Sequence, residues 1–138
     1  MKRRRRGTKP VIMIAESNAD ERSILRAVAK FLGFEVMEAV HRNQLIALCR
    51  QVTPDLIVLD LGLPKLRSSD AIDVLREEVA LPNLPLVAIS NRRGNRRLPR
   101  RSTVFLPKPL DLEQFFFLID KFLPGRMTSM ARYKYLSR

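Results

Sequence analysis

A doubly wound, five-stranded parallel α/β sheet with helices on both faces is the fold class that the sequence predicts. Three observations predict it. Apolar segments of strand length alternate with segments of helical periodicity along the whole chain. At least three of the strand segments are apolar throughout, as strands covered on both faces must be. The chain has 138 residues, enough for one domain with a single substantial core.

The elements follow in order. Residues 11–15, VIMIA, read as a buried strand. After ESNA, residues 20–32 form a helix with Ile24, Leu25, Val28, Phe31 and Leu32 on one stripe, acids in its first turn and Gly33 as its stop. FEVMEAV is a short strand, and NQLIALCRQ is a helix halted before Pro54. LIVLD, residues 56–60, is a second buried strand. SSDAIDVLREEV is a helix with Ser at its cap and acid in its first turn. LPLVAIS and TVFLP are two more strands. DLEQFFFLIDKFL is the last helix, capped by Asp111 and ended at Pro124–Gly125. Most of FFF at 115–117 is core and interface packing. The tail from Arg126 is helical or loose.

Charge divides the chain. The net charge is +12, with 26 Lys or Arg against 14 Asp or Glu. Sixteen of the basic residues fall in three acid-free segments, residues 1–10, 91–101 and 125–138. The rest carries 10 bases against 14 acids, a net −4. An acidic globule with basic appendages suits steering and polyanion contact rather than any particular fold. The expected boundaries are a basic tail at 1–10, a domain at 11–122 and a basic tail at 123–138. Arg92, Arg93, Arg96, Arg97, Arg100 and Arg101 form a basic surface run, either a solvated face or a contact for an acidic partner or a nucleic acid backbone. No helix-turn-helix, zinc or RNA-binding signature accompanies them.

No apolar run reaches the roughly 20 residues a membrane span needs, and VIMIA is too short for a secretory signal core. The single cysteine, Cys49, sits in a helical pattern and reads as a buried thiol. A cytoplasmic protein without a membrane partner is expected.

In sheets of this class, chemistry gathers outside the carboxyl ends of the strands. The residues there are Glu16 and Ser17, Asp60, Ser90, and Lys108–Pro109. Asp60 is met at the end of an apolar run and followed by Gly62 and Pro64. It either caps its strand or is displayed to react. Glu16 and Asp60 can hold Mg²⁺ through oxygen ligands, or Glu16 is a solvated turn acid. Lys108 supplies a point charge for a phosphate, or is a surface lysine before a proline. Ser90 offers a hydroxyl. A carboxylate nucleophile beside a dication, an ammonium and a hydroxyl is what forming an acyl-phosphate requires.

These pieces, VIMIAESNADERSIL, PDLIVLDLGLPKLRSSDAIDVLR, LPLVAIS and FLPKPLDLEQF, together resemble the receiver domain of two-component response regulators over roughly residues 11–122. The resemblance implies a flavodoxin-like fold. It implies that Asp60 is the phosphoacceptor, Ser90 the conserved hydroxyl, Lys108 the phosphate-pairing lysine and Phe105 the switch aromatic, with Phe105 equally readable as plain core. It also implies that the Gly62 carbonyl joins Glu16 and Asp60 around Mg²⁺.

Departures are visible beside the match. The family usually places two acids after the first strand, and here Ser17 stands at the second position, which weakens the expected Mg²⁺ site. Asn91 takes the place of a small residue, and Lys65, Leu66 and Arg67 replace a Gly-containing turn. The stretch from Ser90 to Lys108 is short, and Gly94 and Pro99 argue against a normal fourth helix, so 91–103 reads as a loop or a short turn.

The implied function is that of a stand-alone receiver, a phosphoacceptor signalling protein rather than an enzyme, with autocatalytic aspartyl phosphorylation and dephosphorylation. Its partners would be a sensor histidine kinase or phosphotransfer protein and a downstream protein, with signalling by contact or homodimerisation. One alternative is a degenerate pseudo-receiver serving as a phosphorylation-independent interaction module. The other is a basic nucleic-acid-associated protein on the same fold.

Overall fold

Five-residue strands build the centre. β1 (Val11–Ala15) and β3 (Leu56–Asp60) are buried at every position. They pair in parallel, Ile12 with Leu56 through Ala15 with Leu59. β2 (Glu35–Ala39) lies outside β1, and β4 (Leu86–Ser90) and β5 (Thr103–Pro107) continue on the other side. The order is β2-β1-β3-β4-β5, with every pair parallel. The computed structural model describes residues 9–66, 71–80, 83–91 and 103–131. Four helices are assigned among them: α1 (Ala19–Phe31), α2 (Arg42–Gln51), α3 (Ala71–Val79) and α4 (Leu112–Phe122).

Alternation along the strands splits the core in two. Ile12, Ile14, Val58 and Ile89 face α1 and α4, meeting Leu25, Ala29, Phe115 and Ile119. Met13, Ile57, Leu59 and Ala88 face the other way, meeting Leu45 and Cys49 of α2 and Leu75 of α3. A period of two in the strands thus explains why continuous apolar runs were needed: both faces are covered. Arg76 of α3 anchors the far edge, donating to the Leu84 carbonyl at 2.7 Å and to the buried Thr103 hydroxyl at 2.7 Å.

The expected strands and helices occur among the described residues, with shifts of a residue or two at the ends that are described. The α1 stripe differs. Its buried line is Leu25, Ala29 and Leu32, whereas Ile24 is 55% and Phe31 44% exposed. A small alanine at the centre lets α1 lie close to the sheet, and this places Ile24 and Phe31 on its flanks. In α4, Phe115 and Phe116 are buried and Phe117 faces out, because each residue turns the helix by about 100° and Phe117 stands about 200° round from Phe115.

Packing continues past α4. Leu123, Met127 and Ala131 belong to the α1/α4 core. The Thr128 N–H donates to the Leu32 carbonyl at 2.9 Å, and so caps α1 from a distant part of the chain. Gly33 permits this approach: its φ is +101°, and a Cβ there would stand 2.5 Å from Thr128 Cγ2. The expected serine cap of α3, most of the 91–103 stretch read as a loop or short turn, and most of the three basic segments lie outside the described residues.

Candidate phosphoacceptor and metal site

The site lies where the chain reverses direction across the sheet. β2 goes to one side of β1 and β3 to the other, and the crevice between β1 and β3 opens at their carboxyl ends. Pairing Ala15 with Leu59 sets the next residues, Glu16 and Asp60, level with each other. Pairing Asp60 with Ile89 and Ser90 with Pro107 brings the ends of β4 and β5 alongside, with Lys108 next in the chain. The Lys108 N–H donates to the Ser90 carbonyl at 3.0 Å, extending the ladder by one bond. The Lys108–Pro109 peptide is cis.

Lys108 Nζ is the hub. It lies 2.9 Å from Asp60 Oδ2, 3.2 Å from Glu16 Oε1 and 3.1 Å from Glu21 Oε2. Its side chain is 11% exposed, those of Asp60 and Glu16 are 11% and 3%, and that of Glu21 is 45%. The other Asp60 oxygen, Oδ1, accepts from the Gly62 N–H at 2.8 Å. A Cβ at Gly62 would stand 3.3 Å from that oxygen, so glycine gives the turn its close approach to the carboxylate. After it the chain turns through Pro64, and Lys65 takes a φ of +68° where a glycine would be relaxed.

The environment separates the two buried acids. Burial and the neighbouring Asp60 push Glu16 above its ordinary value, against the Asn18 N–H and Lys108. Burial also pushes Asp60 up, but the Gly62 N–H, Lys108 and Glu16 together outweigh it and hold Asp60 below its ordinary value. Lys108 loses some of its charge preference to burial and regains more from its three acids, so it is held firmly charged. Asp60 is therefore an ionised carboxylate with both oxygens directed.

Glu16, Asp60, Gly62 and Lys108 come together as the sequence suggests. Ser90 ends β4 between the strands that carry Asp60 and Lys108. Phe105 is half-buried and packs against the α2/α3 core. Ser17 is exposed, and its carbonyl accepts from Arg22 at 3.4 Å. The six arginines of 92–101 lie outside the described residues.

Sequence reasoning missed Glu21. It was read only as a first-turn acid suited to the helix dipole. The signal was the N-x-x-E pattern at 18–21 immediately after a strand that ends at the site. Its carboxylate oxygen and those of Glu16 and Asp60 lie within 4.8 Å of one another. Three carboxylates against one ammonium leave a net −2, and hard oxygen donors of this kind suit a divalent ion such as Mg²⁺.

The comparisons with known proteins agree with this fold. Among curated proteins, the polar-differentiation response regulator DivK of Brucella anthropi is 23% identical over 116 residues, covering 81% of this chain and 94% of that protein. Among solved structures, chemotaxis protein CheY4 of Vibrio cholerae superposes with a TM-score of 0.69 at 14% identity, covering 84% of this chain and 100% of that one. The receiver domain of sensor histidine kinase PA1611 from Pseudomonas aeruginosa PAO1, solved with a magnesium ion coordinated in its active site cleft, has a TM-score of 0.69 at 20% identity. It covers 83% of this chain and 98% of that one. Residues 12–120 match the family model described as the response regulator receiver domain, and the chain belongs to that family.

Proposed function

We propose that Asp60 accepts a phosphoryl group from a phosphohistidine of a sensor kinase or phosphotransfer protein, and that the phosphorylated domain signals by protein contact. The observation that carries this reading is the state of Asp60: ionised, at the mouth of the crevice, with one oxygen on the Gly62 N–H and the other on Lys108 Nζ. An Asp60 oxygen attacks phosphorus in line. The P–O bond forms as the P–N bond of the donor breaks, and the imidazole leaves with the electron pair and takes up a proton.

Glu16 and Asp60, with the Gly62 carbonyl, would hold Mg²⁺, which supplies charge neutralisation for the transferring group. Lys108 pairs with a phosphoryl oxygen once the group arrives, exchanging a carboxylate contact for a phosphate one. Ser90, at the end of the neighbouring strand, is placed to donate its hydroxyl to another phosphoryl oxygen, and Phe105 is the aromatic that responds. The absence of an acid at Ser17 is the observation that favours the pseudo-receiver reading.

Intact mass after incubation with acetyl phosphate and Mg²⁺ tests the choice. One phosphoryl adduct on the wild type and none on Asp60→Asn, with unchanged circular dichroism, is the expected result. An adduct that persists on Asp60→Asn would assign the chemistry to another residue. No adduct on either protein, with a kinase donor also supplied, would leave the domain as a phosphorylation-independent interaction module.

A further inference from the structure

We infer that Glu21 supplies the metal-binding carboxylate that Ser17 lacks. The inference rests on the reading of this crevice as a Mg²⁺ site. Its basis is how α1 begins. Asn18 caps the helix and accepts from the Glu21 N–H at 2.9 Å. In a capping box the Glu side chain would return to the N–H of the cap residue. Here that N–H donates instead to Glu16 Oε2 at 3.0 Å. The Glu21 carboxylate turns the other way, into the crevice, where it meets Lys108 Nζ.

The consequence is a third carboxylate at the site, delivered by a helix rather than by the turn. Mg²⁺ holds oxygens at about 2.0–2.1 Å, so two of its ligands lie at most about 4.2 Å apart. Oxygens already within 4.8 Å of one another would close to the spacing of such a shell by side-chain rotation. Arg22 fixes the turn between strand and helix, donating to the Glu16 carbonyl at 3.0 Å, and so holds α1 where its first turn faces Asp60. Glu21 is near the rim, which leaves the ion open to solvent and to an incoming phosphoryl group.

The test is Mn²⁺ binding, read by the loss of the free-ion electron paramagnetic resonance signal. The proteins are the wild type, Glu21→Gln, Glu21→Gln with Ser17→Asp, and Glu21→Gln in a Lys108→Met background. The Gln variant keeps the backbone cap, and a thermal melt confirms its fold. We expect Glu21→Gln to weaken binding about tenfold or more, and Ser17→Asp to restore it. The loss should persist in the Lys108→Met background, where pairing with lysine cannot explain it. Unchanged affinity in Glu21→Gln, a loss that vanishes without Lys108, or no Mn²⁺ binding to the wild type would each overturn the inference. Phosphoryl uptake by the same samples separates the two readings. Uptake by the wild type with Glu21 indifferent to Mn²⁺ overturns this assignment and leaves Asp60 as acceptor. Glu21-dependent binding supports the assignment even where no uptake occurs, an outcome that removes only the acceptor role.

Discussion

Replacing Lys108 with methionine removes the one cation among three carboxylates while keeping the length of the apolar stem. Two of those carboxylates are almost fully buried, and the ammonium stands 2.9 Å from one and 3.2 Å from the other. At an effective dielectric of about 20, each such contact is worth about 5 kcal/mol before desolvation. Removing the lysine also removes its own desolvation cost, several kcal/mol per ion. The net loss expected at pH 7 is about 3 kcal/mol, in line with breaking a buried pair from one side. With a urea slope near 2 kcal/mol/M, the midpoint falls by roughly 1.5 M.

The sign of the pH dependence follows from the acids. Lys108 has its value raised, so in the wild type its contribution is complete throughout the acid and neutral range. In the variant, Glu16 and Asp60 face each other without it. Glu16, already raised by burial and by Asp60, takes up a proton and ends the repulsion. The loss should therefore shrink from pH 7 to pH 5. Mg²⁺ should stabilise the variant more than the wild type, since the ion no longer competes with the ammonium. A tenfold gain in affinity adds about 1.4 kcal/mol at saturating ion. Urea melts at both pH values, with and without Mg²⁺, are the assay. An equal loss at pH 5 and pH 7 would refute the electrostatic account, and stabilisation by Mg²⁺ no greater than in the wild type would refute the competition.

Glu16→Gln should stabilise the metal-free domain at pH 7. A raised carboxyl value means that stability is complete below the ordinary value of 4.5 and is lost as pH rises through the folded value, so the gain should vanish near pH 4 in thermal melts. Gly33→Ala should cost about 2 kcal/mol or more, from the left-handed backbone and the clash with Thr128 Cγ2. Adding Thr128→Ala should recover the clash and leave the backbone cost; a double-mutant cycle with no coupling would mean that the C-terminal segment does not pack there.

Much of the site was legible because parallel sheets put strand ends in one place. Glu16, Asp60, Ser90 and Lys108 each follow an apolar run, and residue order alone assigns them to one edge. Glu21 was not legible by that rule, since it sits on a helix. Its direction depends on which carboxylate takes the Asn18 N–H, a competition between Glu16 and Glu21 that residue types do not decide. The same holds for α1, where five apolar positions fit the stripe and only packing shows that Ala29 rather than Phe31 faces the sheet.

By itself the sequence determined the fold class, the strand that bears Asp60 and the presence of a lysine to meet it. Apolar periodicity and turn residues are local properties, and the order of strands across a parallel sheet is tightly restricted. The tertiary structure alone decided that Glu21 enters the crevice, that Thr128 caps α1 across 96 residues of chain, and that the core runs on to Ala131. Each of these is a contact between groups whose partners are chosen by relative position in space, where burial and unfilled hydrogen bonds select among residues that the sequence leaves equivalent.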